Sequence, residues 1–141
     1  YNLLGGGKIK KGDILFCLRG SLGKYALVNF SGGAPASSLC IIRAKENTVP
    51  SFLLYIIASS LMRNNIEMTN TGSSQPNLSA KDISHYIFKV PADIDEQNEI
   101  ANILIAMDEE IEALEAERKK MIQIREGVMD DLLTGRVRLK I

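Results

Sequence analysis

Ile100, Leu104, Met107, Ile111, Leu114, Arg118, Met121, Arg125, Val128 and Leu132 follow one another in alternating steps of four and three, and eight of these ten residues are apolar. A seam of that period, held over more than four heptads, requires a long helix with one apolar edge, and it outruns what a small globular core normally uses. Asp93-Ile94-Asp95-Glu96 supplies a capped start and Thr134-Gly135 a stop. Gly127 is tolerated inside the pattern at a cost of about 1 kcal/mol relative to Ala. Arg118 and Arg125 occupy seam positions where an apolar residue is normal, which argues for acidic groups on a partner helix or for a device that fixes register. No second segment of matching length and period exists in the sequence. The helix therefore calls for a partner outside this chain, or folds back on its own domain and leaves much of its stripe exposed.

Charge divides the chain at nearly the same place. The formal net charge is zero, yet residues 1–92 carry ten Lys or Arg against four Asp or Glu, and residues 93–141 carry seven against thirteen. A basic part attracts polyanions, and phosphate neutralisation is the main sequence-independent source of nucleic-acid affinity. The acidic part is unsuited to lying on DNA. We therefore expect two regions, a globular domain over 1–92 and a helical arm over 93–141. At 141 residues, 45% hydrophobic, the chain can bury one modest core beside that arm. The most apolar stretch, Phe52 to Ala58, is far below the roughly 20 residues of a membrane span, and no secretory leader is visible. The absence of an initiating Met before Tyr1 reads as a fragment or a processed product.

Within the basic region, Ile14–Leu18, Tyr25–Val28 and Leu39–Ile42 are short apolar runs separated by Gly20, Gly23, Gly32 and Gly33, a pattern of strands and turns. Pro50 opens a largely buried helix through Leu61 and Met62, weakened by Asn64-Asn65 and the tract after Thr69. Ser79 and Asp82, three apart, predict the cap of a short helix. His85–Pro91 reads as a final strand. The expected class is α+β: a small mixed α/β domain followed by a long C-terminal coiled-coil helix.

Catalytic and metal chemistry find few residues. Cys17 and Cys40 lie in apolar runs without metal or redox spacing, and read as small core residues in a reducing cytoplasm. One histidine, His85, has no acidic cluster beside it, so neither zinc nor a serine triad is expected. Arg19-Gly20-Ser21-Leu22-Gly23-Lys24 has the look of a phosphate loop, but Lys24 is followed by Tyr25 and then by a strand, so the Walker arrangement is absent. Two readings of this loop stay open: an ordinary hairpin turn, or DNA contact by Arg19, Ser21 and Lys24. In the polar tract that follows Thr69, the residues Thr71, Ser73, Ser74, Gln75 and Asn77 carry donors and acceptors suited to base edges or phosphates, or simply make a solvated loop.

Several of these segments together resemble the specificity subunits of type I restriction-modification systems. They are Lys11–Phe16 with Arg19–Lys24, Thr71–Ser79, Val90-Pro91, Glu96-Gln97, Ile100–Leu104, Met107-Asp108, Ile111 and Leu132–Arg136, and their order covers nearly the whole chain. The resemblance implies a subunit without an active site or cofactor, which selects double-stranded DNA for methyltransferase subunits that modify adenine and for restriction subunits that translocate and cleave. It also implies a cytoplasmic protein in which residues 1–92 form a target-recognition domain lacking its proximal part. Residues 93–141 would be the conserved-region helix, docking partners through the seam. In the family two recognition domains are joined by long helices, whereas one domain and one helix are present in this sequence, as in a fragment or a half-length subunit that homodimerises. Arg19, Ser21, Lys24, Ser73, Ser74, Gln75 and Asn77 become the expected DNA-facing residues. An assembly module, with a dimerising coiled coil and a basic domain for an acidic protein, is the competing expectation.

Overall fold

A computed structural model of the chain describes residues 7–70 and 77–140. Three strands form an antiparallel sheet in the order β2-β1-β3: β1 Ile14–Cys17, β2 Tyr25–Leu27 and β3 Leu39–Ile42. Phe16 faces Tyr25 on one side and Cys40 on the other, so β1 is the central strand. Alternation along β1 sends Ile14 and Phe16 to one face, where both are fully buried. Cys40 shares that face through its register with Phe16, and burial pushes its thiol pKa up. Cys17, one residue on, points to the opposite face, and both thiols are free.

Helices α1 (Pro50–Ala58) and α2 (Ser60–Thr69) cover the sheet. Ile57, Met62 and Leu78 close a core with Ile14, Phe16 and Leu18, flanked by partly buried Leu53, Ile66, Tyr86 and Phe88. The single helix expected after Pro50 is thus two. Ser59 takes an extended conformation (ψ 165°), and the Ile56 carbonyl accepts from both its hydroxyl (2.7 Å) and its amide (3.3 Å) at the break. Pro50 does stand in the first turn of α1. A short α3, Ala80–Ser84, starts at the expected cap: Ser79 accepts from the Asp82 amide and the Asp82 carboxylate accepts from the Ser79 amide at 2.8 Å.

The expected strand over His85–Pro91 is not formed. Tyr86 and Phe88 pack inward while Ile87 is 88% exposed, so the alternation of a strand is present. What is missing, among the described residues, is a neighbouring strand to pair with it.

Ahead of β1, Asp13 is buried and accepts three hydrogen bonds: from the Lys10 amide (2.7 Å) and from Arg43 Nε (2.6 Å) and Nη2 (2.7 Å). Arg43 also donates to the Lys8 carbonyl at 2.9 Å, tying the end of β3 to the chain before β1. The Arg43 guanidinium holds the Asp13 carboxyl below the usual carboxylate range. Asp13→Ala removes all three bonds and is expected to cost about 2–4 kcal/mol. Because the folded-state pKa is depressed, this stabilisation is present above the ordinary carboxylate pKa and disappears as pH falls through the lowered value. Chemical denaturation from neutral to acid pH should therefore show a flatter acid limb in Asp13→Asn than in the parent; identical pH profiles would contradict the role given to Asp13.

Helix α4 runs from Ile94 to Leu133. Asp93 caps it, its carboxylate accepting from the Asp95 amide at 2.9 Å. At the other end Gly135, at φ 73°, takes the left-handed conformation that stops a helix, and Arg136 pairs with Asp130 and Asp131. The chain forms two compact units, Tyr1–Ala101 and Asn102–Ile141. The opening turns of α4 belong to the first through Gln97 and Ala101, both buried. Gln97 Oε1 accepts from the Val49 amide at 2.9 Å, while Nε2 donates to the Pro91 and Asn47 carbonyls at 2.8 and 3.2 Å. One side chain thus satisfies the α1 N-cap amide, which has no side-chain cap of its own.

Candidate nucleic-acid interface and partner seam

Arg19, Ser21 and Lys24 lie in the hairpin between β1 and β2, and all three are exposed. Gly20 and Gly23 hold positive φ there, at 77° and 82°, which lets the chain reverse tightly enough for the Cys17 amide to donate to the Lys24 carbonyl at 2.8 Å. The loop is a hairpin turn, and its polar side chains remain at the surface.

Asn77 lies beside it. Arg19 Nε donates to Asn77 Oδ1 at 3.1 Å, and the next residue, Leu78, donates its amide to the Leu18 carbonyl at 3.1 Å. Leu78 is buried in the core, so the anchor for this contact is hydrophobic. Of the seven expected DNA-facing residues, Arg19, Ser21, Lys24 and Asn77 are brought to one neighbourhood although Arg19 and Asn77 are 58 positions apart. Ser73, Ser74 and Gln75 lie outside the described residues. A shallow cleft of about 400 Å³ separates the hairpin from α2, lined in part by Ser21, Lys24, Glu67 and Asn70.

Sequence reasoning passes over Asn70. It is the C-cap of α2, and its side chain bridges the Ile66 carbonyl (from Nδ2, 2.9 Å) and the Asn77 amide (to Oδ1, 2.9 Å). The available signal is an Asn at the end of a helical stretch, a residue type that bonds neighbouring backbone.

The seam of α4 is exposed beyond its first turns. Met107, Ile111, Leu114, Met121, Val128 and Leu132 are 40–60% exposed, and Arg118 and Arg125 are exposed with them. Only Ile100 and Leu104 are half-buried. So long a line of exposed apolar side chains is unusual for an unpartnered surface. Among the described residues no group of three metal-ligating side chains is found, and no helix is long and apolar enough to cross a membrane.

This α+β arrangement with a long C-terminal helix recurs in solved structures. One is the HsdS subunit from Thermoanaerobacter tengcongensis, with a TM-score of 0.71 at 23% identity over 86% of this chain and 32% of that one. Another is a chain from a study of complex assembly and conformational transition in the type I R-M system, with a TM-score of 0.70 at 23% identity over 94% of this chain and 36% of that one. At the level of sequence, residues 5–123 match the family described as type I restriction modification DNA specificity domain, and the chain belongs to that family. It is also 27% identical over 134 residues to a protein named as the type I restriction enzyme MjaX specificity subunit of Methanocaldococcus jannaschii. The match takes in 91% of this chain and 29% of that protein, so the chain spans about a third of the length of these relatives.

Proposed function

We propose that this chain is a sequence-reading part of a type I restriction-modification specificity subunit, binding double-stranded DNA and performing no catalysis itself. The observation that carries the reading is the convergence of Arg19, Ser21, Lys24 and Asn77 on one exposed edge of a basic domain. Residues 1–92 act as the target-recognition domain and 93–141 as the conserved-region arm. Arg19 and Lys24 supply charge to phosphates or guanine edges, while Ser21, Ser73, Ser74, Gln75 and Asn77 supply neutral donors and acceptors. In the cytoplasm the selected site is passed to methyltransferase and restriction subunits.

The arm docks a second coiled-coil helix through the seam from Ile100 to Leu132, including Arg118 and Arg125. A second copy of this chain is the partner we favour. Residues 108–117 carry six acidic groups, and residues 118–125 carry Arg118, Lys119, Lys120 and Arg125. Two antiparallel copies set acid against base along this stretch, whereas parallel copies set like against like.

The test of DNA binding is a salt titration with a duplex. Arg19→Ala and Lys24→Ala, made separately, are expected to weaken binding, with the logarithmic salt slope falling by about one for each phosphate that the variant no longer neutralises. Unchanged affinity and slope in both variants would contradict these assignments. Binding to acidic protein with no discrimination between duplexes would favour an assembly module instead.

A further inference from the structure

Arg19 does not stand alone on its loop. Its Nε donates to Asn77 Oδ1 at 3.1 Å, the Asn77 amide donates to Asn70 Oδ1 at 2.9 Å, and Asn70 Nδ2 donates to the Ile66 carbonyl at 2.9 Å. The relay thus begins on the last turn of α2 and ends on a guanidinium at the surface. Each link uses a side-chain group of defined direction, and the start is rigid: the Asn70 backbone amide is itself bound to the Ile66 and Glu67 carbonyls. A free surface arginine has several rotatable bonds and loses their freedom on binding, a cost that falls on affinity. Fixing Nε sets the plane of the guanidinium before any partner arrives, and a planar fork in one orientation is what bidentate recognition of a phosphate or a guanine edge requires.

We propose that Asn70 and Asn77 are positioning residues, which hold Arg19 in a preset orientation for DNA. The idea rests on the DNA-reading function above and extends it in two respects. Asn70 joins the functional residues without touching DNA. Asn77 changes role, its side-chain oxygen holding Arg19 rather than addressing a base.

The test is a double-mutant cycle on the full chain, using a mixed-sequence duplex of about 30 base pairs as probe. Asn70→Ala is expected to weaken binding about 3- to 10-fold, the size of the one neutral hydrogen bond that the Asn77 amide loses. In an Arg19→Ala background the same change should have no further effect, because it acts through Arg19. The Arg19 Nε–H resonance reads the same relay without DNA. It should exchange slowly with solvent in the parent and rapidly in Asn77→Ala, with the melting temperature of Asn70→Ala close to that of the parent. Additive effects of Asn70→Ala and Arg19→Ala, or an Arg19 Nε–H that exchanges equally fast in parent and Asn77→Ala, would overturn the proposal while leaving DNA binding intact. A parent chain that binds no duplex would instead remove the DNA reading itself, and the proposal with it.

Discussion

Ile111→Asp combined with Leu114→Asp is expected to convert the dimer proposed above to a monomer in sedimentation equilibrium. Both side chains are about half exposed in the single chain, at 51% and 56%, so the substitutions add charge to a surface and leave the helix fold intact. In a paired seam the same carboxylates would be taken out of water beside apolar knobs, at a cost of several kcal/mol. Even about 3 kcal/mol weakens association roughly a hundredfold. Circular dichroism should show the helical content largely retained. A variant that sediments like the parent would place the partner surface elsewhere.

Phe16→Ala is expected to have the largest effect on stability. Phe16 is fully buried at the centre of the central strand, in contact with the core that also holds Ile57, Met62 and Leu78. Removing a buried phenyl ring costs about 3–5 kcal/mol, a large fraction of the roughly 5–15 kcal/mol available to a domain. The midpoint of urea unfolding for the first unit should fall accordingly. DNA binding should fail with it, since β1 leads directly into the hairpin that carries Arg19. A loss below about 1 kcal/mol would mean that the sheet packs differently.

The elements legible in the sequence are those whose signal is local. The three strands follow from apolar runs between glycines, the Ser79–Asp82 box from its spacing, and α4 from its period and its two ends. The features that are not legible depend on what lies across space. Nothing in Phe52–Met62 announces that the Ser59 hydroxyl will take the Ile56 carbonyl, since Ser is also tolerated within helices. The alternation from His85 to Val90 is that of a strand, yet pairing needs a neighbour and none lies beside it among the described residues. Gln97 enters the sequence pattern only as half of a Glu-Gln pair. Its burial, and its bonds to residues 48 and 50 positions away, cannot be read from a polar residue in a first helical turn.

The candidate site divides in the same way. Polarity and glycine spacing mark Arg19, Ser21, Lys24 and Asn77 as surface loop residues, and that is where they lie. That Asn77 sits beside Arg19 follows from Leu78 entering the core next to Leu18, a long-range packing event. Asn70 escapes notice because a helix C-cap and a loop residue look alike in sequence. The helix of α4 is the most legible feature, since its period alone marks a long helix with one apolar edge.

Selection of a randomised duplex library by this chain, with and without a type I methyltransferase subunit, tests the central claim most directly. If the chain reads DNA sequence, sequencing of the retained DNA will show enrichment of a short asymmetric motif. Retention of no DNA under either condition, or retention without any enriched motif, would contradict it.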